Sequence, residues 1–267
     1  MQTLGLALSD ERHIGDRIHL PWGLDDKINF YTMDVAVLAG APGAGKSTIA
    51  VNLAAQMRTP MLYLAQDSPN SVMARITALT LGEQTQTVLT QMADPESRQE
   101  LASKMGGKME SFVFHRGQVS VEQIERMCVS LREWMGKHPP VVVVDNLIDL
   151  TTEGASSGEN TFYARNLQEI KDLAIRLNMG IILLHHVTRG AGVDHGRGRS
   201  GITMNDLLFA GEREARHVWG TWNNGGDTIH VQVLKQTDGM ADPEAGVSVP
   251  LRWYPDYSKV ERSLTRV

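Results

Sequence analysis

The chain has 267 residues, 42% hydrophobic and 21% charged, with a formal net charge of −5. That length and balance suit one large or two small globular domains with a sizeable core, and the negative charge argues against a whole-surface nucleic-acid binder. A single cysteine, Cys128, excludes an internal disulfide; no Cys–His cluster points to zinc, no apolar run approaches the ~18 residues of a membrane span, and the start M-Q-T-L-G-L-A-L-S-D-E-R lacks a signal peptide's basic opening, so the cytoplasm is the expected compartment.

Residues 1–20 read as an extension with no assignable role, and 21–267 as one domain. Val35-Ala36-Val37-Leu38-Ala39 is a short apolar run, the pattern of a buried parallel strand. Gly40-Ala41-Pro42-Gly43-Ala44-Gly45-Lys46-Ser47 follows and fits G-x-x-x-x-G-K-[ST], the phosphate-binding (Walker A) loop of nucleoside triphosphatases. Glycines let the backbone wrap so that amide N–H groups meet phosphate oxygens, and the next helix adds the positive end of its dipole. Lys46 supplies a full charge to the outer phosphates of ATP, the Ser47 hydroxyl suits Mg²⁺, and the binding stretch runs on to Thr48. Ile49, Leu53 and Met57 fall at helical spacing, and Pro60 stops that helix.

Met61–Ala65 reads as a second strand, and Pro69–Leu81 as a helix with Val72, Ile76 and Leu79 on one side. Residues 82–110 are polar and read as short helices; Phe112-Val113-Phe114 is strand-like. Ser120-x-x-Gln123 is a capping box opening a helix to Met135, on whose apolar stripe Cys128 falls, the place of a core thiol. Val141–Val144 is a continuous β-branched run ending in Asp145; with the phosphate loop about a hundred residues upstream, Asp145 is the expected Mg²⁺ carboxylate. Thr151–Asn160 reads as a Gly/Ser-rich loop. A long helix follows, with Tyr163, Leu167, Ile170, Ala174 and Leu177 on one face, ended by Gly180, and Ile181–Leu184 is another buried strand. After residue 210, Val218–Trp222, Thr228–Lys235 and Val247–Tyr254 read as extended segments separated by turns at Asn223–Gly226 and Asp238-Gly239. The expected fold is α/β: a mainly parallel twisted sheet flanked by helices, with antiparallel strands at the C-terminal end.

The order of elements resembles the RecA-like P-loop ATPase core of DnaB-type replicative helicases, including plasmid RepA hexameric helicases and helicases of actinobacterial phages. The phrases that carry the likeness are Pro21-Trp22-Gly23-Leu24-Asp25-Asp26-Lys27-Ile28-Asn29, Leu184-His185-His186-Val187-Thr188-Arg189 and Leu234-Lys235-Gln236-Thr237-Asp238-Gly239, and it spans about residues 21–254. It implies an ATP- and Mg²⁺-dependent DNA helicase, a homo-oligomer that is hexameric in the family's terms, acting on single-stranded DNA in replication with other replication proteins as partners, in the host cytoplasm for a phage-encoded chain.

The resemblance also assigns roles. His186, beside His185, matches the residue that senses the γ-phosphate; the residues alone equally allow a His pair capping a buried strand. Asp67 stands near the position of a water-activating glutamate, one methylene shorter, and equally suits a helix cap. Arg189, Arg197 and Arg199 lie in a glycine-rich segment matching a loop that lines the family's DNA channel. Lys235 matches a lysine that a neighbouring subunit inserts near the γ-phosphate. The arginine expected two residues later is Thr237, leaving Arg213, Arg216 and Arg252 as candidates. A RecA-type recombination ATPase forming filaments on DNA, and a nucleotide-gated DNA-binding or loading protein with little turnover, are the alternative functions.

Overall fold

The computed structural model describes residues 15–263 apart from 58–59, 66–68, 109–111, 148–149, 151–158, 188–200, 208–214, 224–225 and 245. Asp67, Arg189, Arg197, Arg199, Arg213 and most of the Thr151–Asn160 loop lie outside the described residues.

The elements are β1 (Val35–Gly40), α1 (Lys46–Gln56), β2 (Met61–Ala65), α2 (Pro69–Leu81), α3 (Thr85–Ala93), α4 (Pro95–Met105), β3 (Phe112–Arg116), α5 (Val121–Met135), β4 (Val141–Asp145), α6 (Glu159–Leu177), β5 (Gly180–His186), β6 (His217–Asn223), β7 (Thr228–Lys235), β8 (Ser248–Tyr254) and β9 (Lys259–Arg262). They form one sheet in the order β3-β2-β4-β5-β1-β6-β7-β8-β9. Strands β1 to β6 run parallel, and antiparallel pairing starts at β6–β7.

Central strands bury both faces, which is why they read as unbroken apolar runs. Along β4, Val141 and Val143 join the core under α1 and α2, while Val142 and Val144 join the core under α5 and α6. All four valines are fully buried. The expected capping box is present: Gln123 N–H donates to Ser120 Oγ at 3.2 Å, and Ser120 N–H donates to Gln123 Oε1 at 2.8 Å.

The structure departs from the sequence reading at several points. Gly180 does not end the long helix; α6 stops at Leu177, Asn178 takes a φ of 48°, and Gly180 opens β5. The glycine is required by packing, because a Cβ there would lie 2.4 Å from Ile18 Cδ1. The loop before α6 ends earlier than residue 160, since the helix already includes Glu159. Strand β9 went unread because Lys259–Arg262 has no apolar run; it is held by α1, with Asn52 Nδ2 donating to Ser258 O at 2.6 Å and Val260 N–H donating to Asn52 Oδ1 at 2.9 Å. Of the residues set apart as an N-terminal extension, Ile18 and Leu20 are buried in the domain core, and Ile18 N–H donates to Phe30 O at 2.8 Å.

Candidate functional site

Three strand ends stand side by side. Asp145 closes β4, His186 closes β5, and Gly40 closes β1, with His186 and Gly40 directly paired in register. In a parallel sheet this carboxyl-terminal edge is where ligands bind. A cavity of ≈ 420 Å³ opens there, lined by Gly43, Lys46, Ser47, Asp145, His186 and, from α2, Arg75 among others.

The loop between β1 and α1 is shaped by two left-handed glycines, Gly43 at φ 78° and Gly45 at φ 93°. At Gly45 the backbone also approaches β7, so that a Cβ would lie 2.6 Å from Ile229 Cδ1. Strand β6 braces the loop from below. Thr221 Oγ1 donates to Ala44 O at 2.8 Å, and Asn223 Nδ2 donates to Gly43 O at 2.9 Å. Helix α1 starts at Lys46 with no side-chain cap and no acidic residue in its first turn. The first intrahelical bond is Ile49 N–H to Gly45 O, so the amides of Lys46, Ser47 and Thr48 in the first turn stand outside the helical ladder and suit an anionic ligand.

Lys46 is the unusual cation of the site. It is 7% exposed, and its Nζ donates to Gly40 O at 2.8 Å and Ala41 O at 3.0 Å and lies 3.3 Å from His186 Nδ1. Burial lowers its pKa from 10.5 to about 8, opposed in part by the Asp145 charge. A buried ammonium whose hydrogen-bonding neighbours are two carbonyls and an imidazole suits an anionic ligand.

Asp145 accepts a hydrogen bond from Tyr63 Oη at 2.8 Å. Ser47 and Asp145 face the same cavity. Among the described residues no group of three His, Cys, Asp or Glu gathers as an all-protein metal cage. One hydroxyl and one carboxylate beside a phosphate loop are the donor set of Mg²⁺, which takes most of its ligands from phosphate and water.

Lys46, Ser47, Thr48, Asp145 and His186 therefore come together, with Pro42, Gly43 and Gly45 of the loop. Lys235 does not join them: β7 runs from Thr228 near the loop to Lys235 at the far end, where it pairs with Val218. His185 is buried and its ring lies 6.4 Å from that of Tyr163, so the two histidines face opposite sides of the sheet. Arg216 is held at the far end by Asp34 at 3.3 Å and Asp238 at 3.4 Å, and Arg252 lies over the Tyr254 ring at 5.2 Å. Sequence reasoning missed Arg75, Tyr63, Thr221, Asn223 and Trp253, which also lines the cavity. Arg75 is one helical turn beyond Ser71 on the face that α2 turns to the site, but nothing in the sequence says that this face borders the loop.

The family model described as "AAA domain" matches residues 29–192, well over half the chain. The chain belongs to this AAA domain family. As the AAA domain it is, it shares its fold with the solved "ATPase Domain of G40P" at a TM-score of 0.76 and 17% identity, covering 97% of this chain and 96% of that one. It is similar at a TM-score of 0.76 and 16% identity to a DnaB-like replicative helicase whose structure was described with its interactions with primase, covering 98% of this chain and 67% of that one. No curated protein matches the sequence. The RecA-like fold of replicative helicase ATPase domains is thus the fold of this AAA domain protein.

Proposed function

We propose that the protein is a Mg²⁺-dependent ATPase motor that moves on single-stranded DNA and separates duplexes in replication, working as a hexameric ring in the cytoplasm. The observation that carries this is the buried Lys46 ammonium beside Asp145 and His186 at the mouth of a glycine-shaped loop. The likeness to replicative helicase ATPase domains supports the motor rather than another use of ATP.

In this reading the loop from Gly40 to Thr48 cradles the phosphates, with Lys46 and Arg75 setting positive charge against the transferred group. Ser47 and Asp145 hold Mg²⁺, which when bound neutralises charge on the outer phosphate oxygens. Asp67 orients the attacking water. His186 touches Lys46 and closes β5, so a change at the phosphate passes to the segment after β5, where Arg189, Arg197 and Arg199 grip the strand. Lys235 stands at the end of β7 away from its own loop, and in this reading it serves a neighbour's site in the assembly. Other replication proteins are the further partners.

The test is ATP hydrolysis with and without single-stranded DNA, strand separation on a forked duplex, and particle images with a non-hydrolysable analogue. DNA-stimulated hydrolysis, strand separation and closed rings are expected. Open filaments would move the reading to a recombination ATPase; nucleotide binding without stimulated turnover would move it to a gated binding protein.

A further inference from the structure

Tyr63 is fully buried in the middle of β2, where a hydroxyl without a partner costs free energy. Its ring belongs to an aromatic cluster, tilted at 45° to Phe112 with centroids 6.0 Å apart and stacked at 28° on Phe114 with centroids 6.4 Å apart. Phenylalanine would meet those packing needs equally. The oxygen is explained by one contact, the 2.8 Å bond to Asp145 Oδ2.

The strand register shows how that contact is made. Tyr63 pairs with Val143, and Ala65 pairs with Asp145. Tyr63 and Asp145 therefore lie on the same sheet face as diagonal neighbours, a separation of about 7–8 Å between Cα atoms that an aromatic side chain can span. Ala65, directly opposite the aspartate, has only a methyl group and leaves the path open. Against a carboxylate oxygen, which offers only lone pairs, the phenol hydroxyl is the donor of this bond.

We propose that Tyr63 is a positioning residue for the metal carboxylate: its hydroxyl fixes Asp145 Oδ2 and so commits Oδ1 to the cation side of the site. This rests on the reading of Asp145 as the Mg²⁺ carboxylate given above. A carboxylate at the end of a strand otherwise rotates about two side-chain bonds. Anchoring one oxygen from the neighbouring strand removes that freedom before nucleotide arrives, which is how groups behind a metal's ligands set its affinity. Tyr63 does not line the cavity, so its loss acts on the metal carboxylate and leaves the phosphate cradle intact.

The test uses the full chain with Mn²⁺ as the probe. Mn²⁺ is titrated in the presence of saturating ADP and the free ion is read by electron paramagnetic resonance. Affinity for a fluorescent ADP analogue is measured separately in EDTA. Tyr63→Phe keeps the ring that packs on Phe112 and Phe114 and removes only the oxygen. It is expected to weaken Mn²⁺ about tenfold while metal-free nucleotide affinity stays within about twofold. Phe114→Leu disturbs the same aromatic cluster without touching the hydroxyl and is expected to leave Mn²⁺ affinity within about twofold. The inference is overturned when Tyr63→Phe binds Mn²⁺ as wild type does, or when Phe114→Leu loses as much as Tyr63→Phe, which would make packing the cause. A wild-type chain that binds nucleotide in EDTA but no Mn²⁺ overturns the role of Asp145 and this inference with it; one that binds no nucleotide overturns the functional reading first.

Discussion

Replacing Lys46 with methionine removes the ammonium and keeps most of the stem, and the consequence for stability can be worked out with its sign. In the folded chain burial holds the Lys46 pKa near 8 against an ordinary 10.5. At about 1.4 kcal/mol for each tenfold change in a protonation equilibrium, folding works against the charged lysine by about 3 kcal/mol. Below pH 8 both folded and unfolded chains carry the proton, and the whole cost is present. Between about pH 8 and 10.5 the unfolded chain binds more protons than the folded one, so stability rises with pH across that window. Other groups titrate there too, but they are common to wild type and Lys46→Met and cancel in the difference. Urea unfolding of both proteins without nucleotide, at pH 7.5 and pH 10.5, is the assay. Wild type should gain about 3 kcal/mol relative to the variant between the two conditions. Parallel stability curves, agreeing within about 1 kcal/mol, would falsify the claim that Lys46 is held charged and under-compensated. The same reasoning predicts proton uptake when a triphosphate arrives. Near pH 8 about half of the Lys46 side chains are neutral, and a bound anion restores the charge. Calorimetry in buffers of different ionisation heat should register about half a proton per nucleotide in wild type, whereas Lys46→Met should show neither uptake nor binding.

Three further outcomes follow from particular contacts. Arg75 has no hydrogen-bond or ion-pair partner among the described residues and faces the cavity, so Arg75→Ala should change stability by less than about 0.5 kcal/mol while lowering ATP affinity about ten- to hundredfold; thermal melts and nucleotide titrations read the two effects separately. Gly45→Ala meets both a φ of 93° and a 2.6 Å approach to Ile229 Cδ1, a cost of about 1–3 kcal/mol; adding Ile229→Val removes the clashing methyl and should recover part of the melting temperature but not all, because the backbone strain stays. Arg197→Ala with Arg199→Ala should weaken single-stranded DNA binding and flatten its dependence on salt, since each lost phosphate contact takes about 0.7 from the slope; an unchanged slope would remove both arginines from the strand-gripping loop.

What was legible in the sequence, and what was not, divides along the range of the interaction. The phosphate loop, its flanking strand and helix, and the capping box at Ser120 are written in residues a few positions apart, and local physics alone produces them. The run Val141–Asp145 was legible for the same reason: a strand buried on both faces needs no pattern beyond unbroken β-branching. Strand β9 was not, because Lys259–Arg262 alternates a lone buried Val260 with charged neighbours and owes its place to Asn52, over two hundred residues away. The braces of the site fall in the same class. Thr221 reads as an ordinary residue of an extended segment and Asn223 as the first residue of a turn, yet they hold the carbonyls of Ala44 and Gly43 because β6 lies next to β1.

This division matters for how the active edge is built. The motif supplies groups with charge, while side chains from β2, α2 and β6 decide where those groups point, and none of the latter carries a signature of its own. Asp34 at the other end of β1 shows the same economy. It is a buried carboxylate with His217 Nε2 at 3.1 Å and Arg216 at 3.3 Å, and it accepts from Tyr31 N–H at 3.0 Å, so it locks the start of β6 to the start of β1. With β6 pinned at its first residue by Asp34 and at its last by the loop carbonyls, the register between β1 and β6 cannot slip by one residue without breaking both ends. A slip would also turn Thr221 away from the loop, since alternate side chains leave opposite faces of a strand. The shape of the phosphate cradle is therefore set from two sites about one strand length apart, one of which the motif never touches.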